Sequence, residues 1–296
     1  MKIVLTGSSG RIGRAIFGSL SREHEVIGVD TQAFSTTRAI GDCANEALMR
    51  PLMEGVDAII HTAGPHAPHV GEISDSEFER VNAEATGQLY EWARASGVKR
   101  YLYTSTTALY GHAIVPGECT WVDEETTPSP KSVYHRTKLA GEERLEGLAT
   151  PDLPVRVLRM SRCFPENAAL MTSHRLHRGV DARDVGEGHK LALVHDGPAF
   201  ARFILSGATP FSREDCAGLL TDAPDVIHAR VPELATAFEA RGWDLPRSID
   251  RVYDASAAQH QLGWRPRWGW EEVLAQEARD DLEVLPISAT ATPKSE

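Results

Sequence analysis

The chain has 296 residues, 42% apolar and 25% charged, enough for a large core and ordinary for a globular protein. Its 31 basic and 42 acidic residues leave a net charge of −11, which argues against nucleic acid or an anionic membrane as its general partner. The longest apolar runs, such as Val56 to Ile60, are too short to span a bilayer. Four scattered cysteines (Cys43, Cys119, Cys163 and Cys216), with no CxxC spacing, predict a reduced, cytoplasmic chain.

Lys2 to Thr6 reads as a short buried strand that meets a glycine turn at once, so the N-terminus is expected to be a first strand and not a signal peptide. A helix is predicted over Ile12 to Ser21, a strand ending in a carboxylate over Glu25 to Asp30, a helix over Glu46 to Met53 and a strand over Val56 to His61. Phe78, Val81, Ala85, Leu89 and Trp92 recur with helical spacing and predict a helix over Ser76 to Ser96. Arg100 to Thr106 predicts a strand, Val133 to Gly147 a helix and Val155 to Ser161 another strand. This alternation predicts an α/β fold, a doubly wound (Rossmann) parallel sheet that binds ligands beyond the carboxyl ends of its strands.

After about Phe164 the alternation weakens. Helices are expected at Asp181 to Leu193, Pro210 to Leu220 and Pro232 to Arg241. The expected organisation is a nucleotide-binding domain over 1–164, to which later residues can add strands, then a smaller, interleaved substrate-binding region over 165–286. The Ser/Thr/Ala/Pro tail over 287–296 is expected to be disordered.

Thr6-Gly7-Ser8-Ser9-Gly10-Arg11-Ile12-Gly13 lies between the first strand and the first helix. Glycines allow a backbone to approach a pyrophosphate closely, and the helix end supplies free N–H groups and a positive dipole. A plain tight turn is the bland alternative, but strand, turn, helix, strand and Asp30 in that order point to a dinucleotide. A carboxylate at Asp30 accepts bonds from the adenosine ribose hydroxyls and repels a 2′-phosphate, so NAD is expected over NADP. Arg11 is the residue of the turn that could soften this preference.

Tyr134 and Lys138 are four apart on a predicted helix and share a face. A phenol ionises near pH 10, and a nearby ammonium together with an oxidised nicotinamide lowers that value, making the pair a general acid/base for an alcohol or carbonyl.

With these motifs the chain resembles an extended short-chain dehydrogenase/reductase of the NAD-dependent epimerase/dehydratase family. The resemblance also rests on Gly41-Asp42, His61-Thr62-Ala63-Gly64, Val81-Asn82 and Thr104-Ser105-Thr106-Thr107-Ala108-Leu109-Tyr110-Gly111. Later in the chain it rests on Asp254, Leu262-Gly263-Trp264-x-Pro266 and Trp270. It implies a cofactor site of Gly7, Ser9, Gly10, Arg11, Ile12, Gly13 and Asp30, with Asp42 and Cys43 at the adenine and Thr62, Ala63 and Gly64 along the diphosphate and ribose. Asn82 would lie on the helix behind the active site, and Lys138 would also hold the nicotinamide ribose. Thr106 is implied as the hydroxyl that bonds the reacting oxygen beside Tyr134, with Ser105 turned to the other strand face. A homodimer through the helices at Ser76 to Ser96 and Val133 to Gly147 is implied as well.

Two departures bear on the substrate. The nucleotide-sugar enzymes of the family carry Arg-x-x-Asn after the sixth strand, whereas this chain has Arg159-Met160-Ser161-Arg162. Only 45 residues lie between Lys138 and Asp184, a stretch that is much longer where it covers a nucleotide. Between 156 and 183 six arginines face only Glu166 and Asp181, a local charge of +4, and arginine forks suit carboxylate or phosphate. A small anionic sugar is therefore expected, held by His66, Thr106, Thr107, Ser161, Arg162, His174 and Arg178, with Arg162 foremost. Surface arginines paired to carboxylates elsewhere are the competing explanation. Pro68 breaks the His66–His69 pair as a helical metal face, and no metal is expected.

The expected function is NAD-dependent oxidation of a hydroxyl of that sugar, resembling uronate dehydrogenase chemistry. The alternatives are an epimerase or dehydratase that retains its NAD, and a redox-sensing module without turnover.

Overall fold

The computed structural model describes residues 1–286; the tail expected to be disordered lies outside the described residues. Among the described residues nine strands form: β1 (Lys2–Thr6), β2 (Glu25–Asp30), β3 (Ala39–Ile40), β4 (Ala58–His61), β5 (Arg100–Thr106), β6 (Thr120–Val122), β7 (Val155–Met160), β8 (Phe200–Leu205) and β9 (Arg251–Tyr253). Seven of them make one sheet in the order β3-β2-β1-β4-β5-β7-β8, and β6 pairs with β9 apart from it. Every pairing is parallel. The order reverses at β1, which places a crevice beyond the carboxyl ends of β1 and β4.

The helices are α1 (Arg11–Leu20), α2 (Glu46–Leu52), α3 (Asp75–Glu79), α4 (Ala85–Ala95), α5 (Val133–Leu148), α6 (Ala168–Arg175) and α7 (Ala182–Ala192), followed by α8 (Cys216–Thr221), α9 (Ala223–Arg230), α10 (Pro232–Arg241), α11 (Ser256–Gln261) and α12 (Trp270–Ala278). Among the described residues none is long and apolar enough to cross a membrane.

Strand alternation divides the core. Ile3, Leu5, Ile60, Leu102 and Leu158 point to the side covered by α1, α7 and α11, while Val4, Ile59, Tyr101, Tyr103 and Val157 point to the side of α2, α4 and α5. A third cluster, with Phe211, Leu219, Leu234, Phe238 and Ile249, forms the core of a smaller lobe. Residues beyond 164 serve both parts, since α7, β8 and Trp264 belong to the main body and α8–α10 and β9 to the lobe.

Two predicted helices differ. The 76–96 helix is interrupted by a π-turn over Arg80–Glu84, which inserts one extra residue where Asn82 is buried. The expected 210–220 helix starts late: a 3₁₀ turn at Arg213–Asp215 precedes α8, with the Asp215 carboxylate taking the Ser212 N–H at 2.8 Å.

Candidate active site

The glycine turn is built for close approach. Gly7 has φ +74°, and a side-chain carbon on it would lie 2.6 Å from the Thr62 hydroxyl and 2.7 Å from the Ala63 nitrogen. One on Gly13 would meet the Gly7 carbonyl at 2.0 Å. Gly10 precedes α1 with no side-chain cap, and the first turn of the helix holds no acidic residue, so its N–H groups and dipole stay open to an anion. Thr62 donates to the Thr6 carbonyl at 2.8 Å, and the Ala63 N–H donates to the Thr6 hydroxyl at 3.3 Å, tying the ends of β1 and β4 together.

At the end of β2 the Asp30 carboxylate accepts the Ser9 and Gln32 N–H groups, both at 2.9 Å, and remains partly exposed. Asp42 takes the Ala44 N–H at 2.8 Å and the Arg80 guanidinium at 2.7 Å. The Cys43 thiol is buried and pushed up to about 12 by desolvation, which makes it inert. Arg11 is turned to another partner: it pairs with Glu283 near the end of the described chain and lines a small pocket with Cys163.

Replacing Asp30 with serine is expected to weaken NAD by about tenfold while narrowing its advantage over NADP, since acceptors and repulsive charge are lost together. Parallel fluorescence titrations with NADH and NADPH check this.

β5 and α5 bring Thr106, Tyr134 and Lys138 together. Ser132 caps α5 through the His135 N–H at 3.4 Å, fixing where the helix starts. Tyr134 is half-buried, and desolvation pushes its phenol up to about 12 against the pull of a hydrogen bond from Thr106. Lys138 is buried and drawn down to about 7 by desolvation, opposed by Glu142. Its Nζ donates to the Thr104 carbonyl at 2.7 Å and lies 3.9 Å from the centre of the Tyr103 ring. The expected influence of Lys138 on the phenol is therefore not a direct bond; burial sets the Tyr134 value, and the ammonium is turned to the backbone of β5.

Asn82, in the π-turn, donates to the Pro65 carbonyl at 3.0 Å and to Thr137 of α5 at 3.1 Å. A side-chain carbon on Gly64 would fall 2.2 Å from its Oδ1, so the Gly64 turn and Asn82 require each other. His61 is buried, hydrogen-bonded to Thr6 at 2.7 Å and Thr86 at 3.0 Å, and held neutral with its value near 3 by desolvation.

The expected substrate residues are more dispersed. Thr107 is buried next to Thr106, and its carbonyl accepts the Tyr253 hydroxyl at 3.4 Å. Ser161 is buried with its hydroxyl unpartnered among the described residues. His66 is exposed in the loop after β4, its backbone N–H donating to His69 at 3.1 Å. Arg162 is forked onto Glu166, with Nη2 to Oε1 at 2.6 Å, and the same carboxylate takes His174 at 3.0 Å. Hydrogen bonds from His174 and the Arg162 guanidinium hold Glu166 down at about 2, although desolvation opposes them. Most of the local positive charge is thus answered internally, as Arg159 meets Glu142, Arg175 meets Asp181, and Arg183 meets Asp181 and Glu272. Arg178 differs, reaching only the neutral acceptor Nε2 of His174 at 2.9 Å, with its Nε unpartnered among the described residues. His174 and Arg178 line a cavity of about 530 Å³ between α6 and the 244–250 segment. Among the described residues no cluster of three or more acidic, histidine or cysteine side chains is arranged for a metal.

Sequence reasoning passed over Glu142 and gave Arg159 no role of its own. Their signals were present: Glu142 continues the four-residue spacing of Tyr134 and Lys138, and Arg159 is a charge inside an apolar strand.

A parallel sheet with an open glycine turn, an acidic end to β2 and a Tyr/Lys helix defines a nucleotide-dependent α/β enzyme. Residues 3–204 match the family described as the NAD dependent epimerase/dehydratase family. The chain belongs to that family; it is an enzyme of the extended short-chain dehydrogenase/reductase type, with NAD as its cofactor. Over 151 residues it is 28% identical to an NAD-dependent glucose-6-phosphate dehydrogenase of Haloferax volcanii, a match covering 48% of this chain and only 53% of that enzyme. It is 28% identical over 264 residues to a dTDP-glucose 4,6-dehydratase of Streptomyces antibioticus, covering 80% of this chain and 73% of the other. In fold it resembles a short-chain dehydrogenase/reductase superfamily protein of Agrobacterium tumefaciens solved with NAD, at TM-score 0.71 and 21% identity over 94% of this chain and 96% of that one. It also resembles MoeE5 solved with UDP-glucuronic acid and NAD, at TM-score 0.68 and 22% identity over 93% of this chain and 97% of that one.

Proposed function

We propose that the chain oxidises a hydroxyl of a small anionic sugar with NAD. The observation that carries this reading is the grouping of Thr106, Tyr134 and buried Lys138 at the end of β5, beside the crevice of the glycine turn. The residues present fit NAD: a side-chain carbon on Gly7 or Gly13 would fill the cradle, α1 begins uncapped, and Asp30 is partly exposed at the end of β2. Gly7, Ser9, Gly10, Ile12 and Gly13 would hold the diphosphate, Asp30 the ribose, Asp42 and Cys43 the adenine side, and Thr62, Ala63 and Gly64 the far wall, with Asn82 behind. Bound there, NAD supplies the hydride acceptor.

Thr106 orients the substrate hydroxyl, and Tyr134 takes its proton. A phenol near 12 is a poor base at neutral pH, so this role needs positive charge close by. Lys138 provides part of it, on the side of the nicotinamide ribose that it would also hold.

The substrate reading shifts from Arg162, which is saturated by Glu166, toward Arg178 and His174 at the cavity. A dehydrogenase of a sugar phosphate among the relatives is consistent with an anionic sugar. A dTDP-glucose 4,6-dehydratase among the relatives favours a second reading, an NAD-retaining epimerase or dehydratase of a nucleotide sugar. Homodimerisation rests on the family alone, since α4 and α5 expose charged and polar residues including Gln88, Arg94, Arg136 and Glu143.

The test mixes the full-length protein and NAD with uronic acids, sugar phosphates and UDP- and dTDP-sugars. Accumulation of reduced nicotinamide with an unactivated acid or phosphate is expected, and Arg178→Gln should raise KM for it about tenfold or more through loss of a charge-assisted contact. Conversion of a nucleotide sugar without net reduced nicotinamide would instead establish the second reading.

A further inference from the structure

We propose that Glu142 is a positioning residue for the reaction, clamping α5 to β5 through Ser105 and Arg159 and holding a carboxylate one helical turn behind Lys138. This rests on the reading of Thr106, Tyr134 and Lys138 as the catalytic group.

Tyr134, Lys138 and Glu142 follow one another at four-residue spacing along α5 and so form a single column. Glu142 closes the buried end of that column, with 1% of its side chain exposed, against 3% for Arg159. Arg159 grips both oxygens, Nε to Oε1 at 3.2 Å and Nη2 to Oε2 at 2.7 Å, and sends Nη1 to the Tyr110 hydroxyl at 2.8 Å. The Ser105 hydroxyl donates to Oε1. Ser105 immediately precedes Thr106, and Thr104, one residue earlier, gives its carbonyl to Lys138. Glu142 therefore fixes the strand residue lying between the two catalytic contacts of β5.

A buried ion pair alone is weak evidence for a stabilising role, because well-packed apolar residues often serve as well or better. Its placement gives it another use. Facing Lys138 are the Tyr103 ring from β5, Glu142 from α5, His61 from β4 and His66 from the loop after it, with Tyr134 one turn earlier on α5. His61 is neutral, and desolvation lowers His66 as well. Within this group Glu142 is the charge that favours an ammonium against desolvation. An uncharged Lys138 could not stabilise a phenolate at Tyr134.

The test is a titration of the lysine amines by NMR in full-length protein labelled with ¹⁵N at lysine Nζ, the Lys138 signal being assigned by its loss in Lys138→Met. Relative to wild type, Glu142→Gln is expected to lower the Lys138 midpoint by about half a unit to one unit. The turnover found above should fall about 10- to 100-fold in kcat with little change in KM, the alkaline limb of its pH profile moving the same way. Because Glu142→Gln leaves Arg159 without its carboxylate, Glu142→Gln/Arg159→Met serves as the folded comparison, and Glu142→Asp should restore part of the loss. A folded variant with an unchanged Lys138 midpoint overturns the proposal, whatever the catalyst proves to be. Loss of the midpoint shift and failure of the catalytic reading are separable, since the latter is judged by Tyr134→Phe alone.

Discussion

Tyr134→Phe is expected to reduce kcat at least 100- to 1,000-fold, roughly the contribution of a positioned general acid/base, while NAD affinity stays within about threefold. The substitution removes one oxygen from a half-buried ring and leaves the glycine turn, Asp30 and Lys138 untouched. Desolvation holds the phenol near 12 in the cofactor-free protein, so wild-type oxidation should rise with pH as the group ionises. The apparent value should fall below 12 once NAD adds its positive ring to Lys138. Thr106→Val should show a smaller loss with the same NAD affinity. Steady-state kinetics across pH, paired with NADH titration, measures both. A Tyr134→Phe enzyme turning over at the wild-type rate would remove the phenol from the mechanism.

Gly13→Ala is expected to abolish NAD binding, with affinity falling at least about 100-fold, and to lower the melting temperature by several degrees through overpacking worth about 1–3 kcal/mol. The new methyl would lie 2.0 Å from the Gly7 carbonyl oxygen, 2.8 Å from its carbon and 2.8 Å from the Ser8 Cα, all backbone atoms that cannot rotate aside. Relief requires α1 to move off the turn, which would mis-aim the N–H groups that face the diphosphate. Gly18→Ala is the control on the same helix, where, apart from the chain neighbours and the local helix backbone, nothing among the described residues stands within 4 Å of the added carbon. It should leave binding unchanged and stabilise the protein by up to about 1 kcal/mol, as alanine is the better helix former. Calorimetric binding and thermal melts of the two variants separate the local clash from a general effect of alanine.

The nucleotide half of the site was legible in the sequence because its chemistry constrains the backbone. Close approach demands glycine at fixed positions, and a carboxylate closing β2 stands out after an apolar strand. Tyr134 and Lys138 were legible through helical spacing and Thr106 through the resemblance. Partners of charges were not. A count over 156–183 records Arg162 and Glu166 as two terms of a sum, whereas the fold wraps one onto the other. Arg11 finds Glu283 from the far end of the chain, beyond any local window. The β6–β9 pairing joins Thr120–Val122 to Arg251–Tyr253, strands of three residues each, too short to carry an alternation. The π-turn was hidden because its single extra residue barely disturbs an apolar spacing that still reads as continuous helix.

The route of the chain between its two parts has a mechanical outcome. After β7 it enters the lobe at α6, returns to the sheet with α7 and β8, leaves again for α8–α10 and β9, and comes back with α11 and Trp264, whose indole donates to the Asp184 carbonyl at 3.0 Å. The two parts are therefore sewn together by repeated passes rather than joined by a hinge. A piece cut after residue 164 would lose an edge strand and one wall of its own core, so a single thermal transition for sheet and lobe together is the expected result of calorimetry.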